Sequence, residues 1–186
     1  MKKYICIMMF LLTGIISSQA QRMMPKQKGL EINAGILSFD RIGADYYLGI
    51  GMTLNGKNGN YGLWGLQYSQ QNHSYKDITI PVESYLAEGG YSIFLLGDRR
   101  KNIALNLALT GVAGYERINN GETVLYDGAK ILSEENFIYG AGGQLRLETY
   151  LTNKFVLSLQ GGTRALWGTD LELMRPSAGF GIKFNF

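Results

Sequence analysis

The chain has 186 residues, among them 25 Gly, 12 Tyr, 3 Pro, one Cys and one His, and charged residues make up only 18%, below the ~25% of ordinary soluble domains. An apolar content of 46% excludes general disorder. A lone Cys excludes a disulfide framework, and one Cys with one His argues against a Cys/His zinc site. The formal charge of +3 is too small to indicate a nucleic-acid partner.

The chain opens with an export leader. Lys2 and Lys3 form a positive start, and 5–16 is apolar apart from Thr13 and Gly14. Ser18-Gln19-Ala20 then supplies small residues where a signal peptidase reads, so cleavage is expected before Gln21. The apolar run is too short to cross a bilayer as a helix, which takes ~20 residues. Cys6 lies inside this run and not after it, which argues against a lipid anchor. The expected organisation is a signal peptide over 1–20, a periplasmic segment over 21–28 and one folded domain over 29–186. Losing Lys2 and Lys3 brings the formal charge to +1.

From residue 30 onward, apolar residues recur at every second position. The runs are 30–36, 46–55, 64–69, 84–95, 103–110, 137–148, 155–162 and 178–186. In the second, Tyr46, Leu48, Ile50, Met52 and Leu54 oppose Tyr47, Gly49, Gly51, Thr53 and Asn55. A period of two marks strands, and runs near ten residues suit a membrane-spanning strand of ~9–11. The opposite face is mainly small or polar. The predicted fold is all-β: an eight-stranded antiparallel up-and-down transmembrane β-barrel of the outer-membrane type, with the apolar face toward lipid and Gly, Ser, Gln and Asn filling a narrow lumen. A soluble sandwich or lipocalin-like barrel is the alternative, with its apolar face inward.

The connections alternate in length. Gly56-Lys57-Asn58-Gly59, 97–101 and Thr152-Asn153-Lys154 read as tight hairpins. Segments 70–80, 117–135 and 166–175 read as long outer loops, with 38–43 shorter. Short turns on one side and long loops on the other fit an outer-membrane barrel with both termini in the periplasm. Pro25, Pro81 and Pro176 are expected outside strand interiors. The ending Gly181-Ile182-Lys183-Phe184-Asn185-Phe186 looks like the terminal pattern by which such barrels are recognised for insertion; Gly181, Phe184 and Phe186 carry that signal.

Charge sorts by side. The expected periplasmic side is strongly basic, with Arg99, Arg100 and Lys101 as the core of a rim suited to an acidic partner. The outer loops, assigned Asp40, Asp45, Glu83, Asp170 and Arg175 among others, are acidic. Glu31, Glu88, Arg146, Glu148, Arg164 and Lys183 fall on the small/polar face, where they must pair because an unpaired buried charge is costly. They are expected to form a lumen charge network that plugs and registers the barrel.

No catalytic constellation appears. His73 and Ser74 are adjacent, so on a strand they would face opposite ways, and there is no second His to act as base. Gly140-Ala141-Gly142-Gly143 lacks the Lys-Ser/Thr of a phosphate loop. Neither a cofactor nor a metal is expected. The apolar residues within 118–135 suggest a segment folded over the barrel mouth, and Trp167 suits an interfacial aromatic belt.

Several longer segments carry a family resemblance: Gln21-Arg22-Met23-Met24-Pro25 with Lys28-Gly29-Leu30-Glu31; 88–91 through 96–98; Ala108-Leu109-Thr110-Gly111-Val112-Ala113-Gly114-Tyr115-Glu116; Leu125-Tyr126-Asp127-Gly128-Ala129-Lys130; and 165–170 with 175–179. Together they resemble the TraO proteins of Bacteroidetes conjugative transposons. The resemblance implies a part in conjugal DNA transfer and carries no catalytic residues with it. With the barrel it implies a structural, non-enzymatic component or accessory of the mating apparatus in the outer membrane of a Gram-negative bacterium. Its expected partners are outer-membrane lipid, the barrel-insertion machinery and other apparatus proteins, without direct nucleic-acid contact. The alternatives are a general small barrel for envelope stability or adhesion, and a lipid-modifying enzyme.

Overall fold

In the computed structural model, residues 24–38, 44–75, 78–98, 102–118, 135–169 and 171–186 are described. Eight strands follow in order: β1 (Lys28–Ile36), β2 (Tyr46–Asn55), β3 (Tyr61–Tyr75), β4 (Ile78–Gly97), β5 (Ile103–Ile118), β6 (Glu135–Tyr150), β7 (Phe155–Trp167) and β8 (Met174–Asn185). Each pairs antiparallel with the next, and β8 pairs with β1 to close the barrel. The seam is completed by the last residue, since Phe186 N–H donates to Lys28 C=O (2.8 Å) and Lys28 N–H donates back (3.2 Å).

The alternation sets an inverted interior. Ile32, Leu66, Leu159 and Phe180 point outward and are more than 60% exposed, whereas Glu31, Glu148, Asn106 and Lys183 point inward and are at most 2% exposed. A soluble protein does not present so continuous an apolar wall to water; a barrel in lipid requires one. The charged residues of the outward face, Lys28, Glu83, Arg117 and Glu135, all lie toward strand ends. The inner face is crowded, so glycine is forced there: a Cβ on Gly90 would stand 2.7 Å from Thr110 Cα.

Aromatic rings band the outward face at two levels. Tyr68, Tyr85, Tyr115 and Phe137 are direct register partners on β3 to β6. Tyr68–Tyr85 (5.3 Å), Tyr115–Phe137 (5.6 Å) and Tyr139–Trp167 (6.3 Å) are in ring contact. At the end carrying the termini, Phe184 contacts Phe155 (5.1 Å) and Phe186 (6.5 Å). Two such belts are the expected marks of two membrane–water interfaces.

The strands outrun the apolar pattern, which corrects three expectations. First, most of 70–80 is strand, because β3 continues to Tyr75 and β4 begins at Ile78. Beyond the aromatic belt a strand meets water on both faces, so Gln70-Gln71-Asn72 loses the alternation and reads as loop. His73 and Ser74 therefore lie within β3, paired with Ile80 and Thr79. The end of β3 at Tyr75 stands about 23 Å along the strand beyond Tyr68, at ~3.3 Å per residue. Second, of 166–175 only 168–173 is connection. Third, Pro81 and Pro176 lie inside strands, but where one neighbour has run out: β5 reaches no farther than Val82, and β1 no farther than Ala178. A free edge tolerates the missing donor.

The tight turns follow their chemistry. Asn58 and Gly59 both adopt positive φ (61° and 86°) between β2 and β3, as the short hairpin demands. Thr152 Oγ1 accepts from Phe155 N–H (3.0 Å) in the β6–β7 turn. Arg99, Arg100, Lys101 and the apolar segment 119–134 lie outside the described residues, as do the expected signal peptide over 1–20 and residues 21–23.

Candidate functional site

The lumen is the one place where chemistry concentrates among the described residues, and it is layered. At the end carrying the termini, Glu31 (β1), Arg146 and Glu148 (β6) and Lys183 (β8) form a buried quartet. Arg146 bonds Glu31 through its guanidinium Nη2. Lys183 Nζ donates to Glu148 Oε1 at 2.8 Å, and Arg146 Nε stands 4.0 Å from the same carboxylate. Glu148 also accepts from Tyr61 (2.7 Å) and Tyr150 (3.0 Å) hydroxyls. Lys183 Nζ lies 4.6 Å from the Tyr61 ring centroid, a cation–π distance. Ser158 Oγ donates to Glu31 (3.3 Å). The quartet has room because Gly181 has no side chain: a Cβ there would sit 2.8 Å from Glu31 Oε1.

The middle layer centres on Arg164, whose Nη2 donates to Glu88 Oε2 (3.0 Å) and Gln67 Oε1 (2.9 Å). Gln160 Nε2 donates to Tyr47 Oη nearby (2.9 Å). All six residues expected in the lumen network thus face the lumen, in two layers and not one. At the opposite end lies a third layer. Arg175 Nη2 is 2.6 Å from Glu116 Oε2 and donates to Thr169 Oγ1 (2.7 Å), which in turn donates to Glu116 Oε1 (2.6 Å). Beneath it Leu86, Val112, Ile138 and Leu166 form an apolar cluster inside the barrel.

The third layer corrects the sorting of charges. Arg175 belongs to β8 and the lumen, and not to an outer loop; inward parity simply continues past Ser177. Asp45 is buried at the same mouth, where it accepts from Asn72 N–H (2.8 Å). Glu83 lies on β4 and accepts from the Tyr68 hydroxyl (2.8 Å). Inward parity carried from Gly179 through Ser177 would have found Arg175, and it was hidden because the outer ends lack apolar alternation.

Two water-sized spaces lie among the described lumen residues. A cavity of about 20 Å³ is bordered by Glu31, Arg146, Gln67 and Glu88, and one of about 10 Å³ by Thr110, Gln144, Arg164 and Ser177. Several buried polar atoms, including Ser92 Oγ, the Asn106 amide and Arg146 Nε, have no protein partner; such groups are suited to ordered water. Among the described residues no group of three His, Cys, Asp or Glu is placed to hold a metal ion.

At the end carrying the termini, exposed Lys26, Lys28, Lys57 and Lys154 surround the barrel mouth. Gly181 faces inward, and Phe184 and Phe186 face outward.

An apolar wall, two aromatic belts and a polar, charge-paired lumen define a small β-barrel of the outer-membrane class. Two solved structures of Ail, the attachment invasion locus protein of Yersinia pestis, share this fold, one of them in complex with the heparin analogue sucrose octasulfate. Each is 10% identical to this chain, covers 88% of it and is covered in full, with a TM-score of 0.56. No curated protein matches the chain. Residues 24–186 match the family described as conjugative transposon protein TraO, so the chain belongs to the TraO family.

Proposed function

We propose that this chain is an outer-membrane component or accessory of the DNA-transfer apparatus of a conjugative transposon, acting structurally and without catalysis. The observation that carries the reading is the family match over 24–186. The lumen supports the structural role: three side-chain layers fill it, and eight strands leave an interior just wide enough for side chains. DNA therefore does not pass through a single copy. What remains for apparatus partners is the outside of the barrel, chiefly its two ends.

The leader exports the chain, Gly181, Phe184 and Phe186 present it to the insertion machinery, and outer-membrane lipid covers the apolar wall. The periplasmic mouth, with Lys26, Lys28, Lys57 and Lys154, docks an acidic face of another apparatus protein, and the sequence assigns the basic run Arg99, Arg100 and Lys101 to the same side. An in-frame deletion in a donor strain tests the whole reading. Mating frequency is expected to fall by orders of magnitude and to recover with the gene in trans; unchanged mating sinks it.

A second reading, adhesion, is favoured by the β3–β4 hairpin standing beyond the aromatic belt and by the fold shared with Ail. Loss of donor–recipient aggregates, with transfer intact once cells are forced together on a filter, would point there.

A further inference from the structure

The quartet at the terminal end of the lumen contains more pairing than it uses. Two of its three ion pairs reach across strands that are not neighbours, Arg146 on β6 to Glu31 on β1 and Lys183 on β8 to Glu148 on β6, and the third and longest, Arg146 to Glu148, runs along β6. A second complete pairing lies along the wall. Glu31 and Lys183 are direct register partners in the β1–β8 ladder and both face inward. Opposite residues have Cβ atoms about 4.5–5.5 Å apart, within reach of a Lys–Glu bond. Arg146 and Glu148 sit two apart on one face of β6, already with Nε and Oε1 4.0 Å apart. Arg146 Nε is buried and has no hydrogen-bond partner now; a small approach to Glu148 would supply one.

Exchange between the two pairings conserves charge balance and leaves each charge with a partner. It needs rotamer changes and no break in the backbone ladder. Space and polar neighbours are at hand: the cavity of about 20 Å³ touches Glu31 and Arg146, and the unpartnered Asn106 amide is opposite Arg146 in the β5–β6 ladder. The pairing across the lumen draws long side chains through its centre. The pairing along the wall draws them back.

We infer that Glu31, Arg146, Glu148 and Lys183 form a two-state charge gate at the periplasmic end of the lumen, closed in the pairing seen here and opened to water and small ions by partner exchange. The inference is independent of the conjugal role.

Two charge swaps separate the states. In E31K/K183E both pairs across the lumen become repulsive, while both pairs along the wall stay attractive. In E31R/R146E the reverse holds. Each swap keeps composition and net charge. The reporter is Ser177→Cys, a near-isosteric change on β8 in the middle layer, in a full chain with Cys6, its single cysteine, replaced by Ser. The refolded barrel is treated with a small cationic thiosulfonate. Access from the outer end is the same in all variants, so rate differences report the gate. The introduced thiol is expected to react at least about tenfold faster in E31K/K183E than in E31R/R146E, with the unswapped chain between them. Equal rates in two swaps that both show folded, heat-modifiable migration overturn the inference. If a swap fails to fold, R146M/E148Q retains only the pair along the wall and E148Q/K183M only the pair across the lumen. The first is expected to react faster, and equal rates again overturn it.

Discussion

Replacing Lys183 by Met removes one cation from a carboxylate that has no access to water. Glu148 is 0% exposed and Lys183 1%. Breaking a buried pair by deleting one partner typically costs ~3–5 kcal/mol. Glu148 keeps two tyrosine donors, at 2.7 and 3.0 Å, and the Arg146 guanidinium with Nε at 4.0 Å. Those contacts put the expected loss at the low end, about 3 kcal/mol, a large share of the ~5–15 kcal/mol that usually separates folded from unfolded. Glu148→Gln added to Lys183→Met removes the orphaned charge, and the tyrosine hydroxyls bond to the amide oxygen instead. The double variant should recover about 2 kcal/mol relative to the sum of the two single changes, which is the coupling of contacting residues. Urea titration of the refolded barrel in micelles, followed by tryptophan emission and gel mobility, measures all four corners of the cycle. A loss below about 1 kcal/mol for Lys183→Met, or simple additivity, would falsify the buried-quartet account.

Other expectations follow from the same geometry. Gly181→Ala places a methyl group 2.6 Å from Ser158 Oγ and 2.8 Å from Glu31 Oε1, so it should lower the urea midpoint by the equivalent of ~1–3 kcal/mol; an unchanged midpoint contradicts the packing. Glycines on the two faces should respond oppositely. Gly90→Ala meets Thr110 Cα at 2.7 Å and should destabilise, whereas Gly111→Ala meets only Gly89 O at 3.9 Å and should be neutral or stabilise by up to ~1 kcal/mol. Arg175→Met strands Glu116, which is 0% exposed, and should cost ~3 kcal/mol in the same titration. Deleting Phe186 removes the seam bonds to Lys28 and should abolish the heat-modifiable form.

The parts of this barrel that the sequence makes legible are those in contact with lipid. Leu48, Ile50, Met52 and Leu54 alternate with Gly49, Gly51, Thr53 and Asn55 because one face meets hydrocarbon and the other a narrow lumen, so type, number and inward parity of the strands can all be read. That parity placed Glu31, Glu88, Arg146, Glu148, Arg164 and Lys183 together. Where a strand leaves lipid the constraint disappears: Gln70, Gln71 and Asn72 continue β3 with polar side chains on both faces, and polarity alone cannot tell such a strand from a loop. Arg175 was missed for the same reason. Partner choice was not legible either. Arg146 meets Glu31 across the barrel, and that depends on the stagger of strands around the closed sheet, which no local pattern encodes.

The basic mouth offers a test in which fold and docking part company. Lys57 and Lys154 occupy the β2–β3 and β6–β7 turns, and their side chains are exposed. Neither enters the lumen, and neither holds the β1–β8 seam through its side chain. Surface changes of this kind usually alter stability by no more than ~0.5 kcal/mol, so K57E/K154E should insert and resist heat like the parent. Complementary charge chiefly accelerates encounter and is screened beyond ~10 Å at 0.1 M salt. If the mouth docks an acidic apparatus protein, the double reversal should lower mating about tenfold or more in low-salt medium, with K57A/K154A intermediate. The graded series matters, because a general envelope defect would not follow the sign of the charge. Normal transfer by K57E/K154E at low salt, at normal abundance in the outer membrane, would reduce the lysines to a solvated rim.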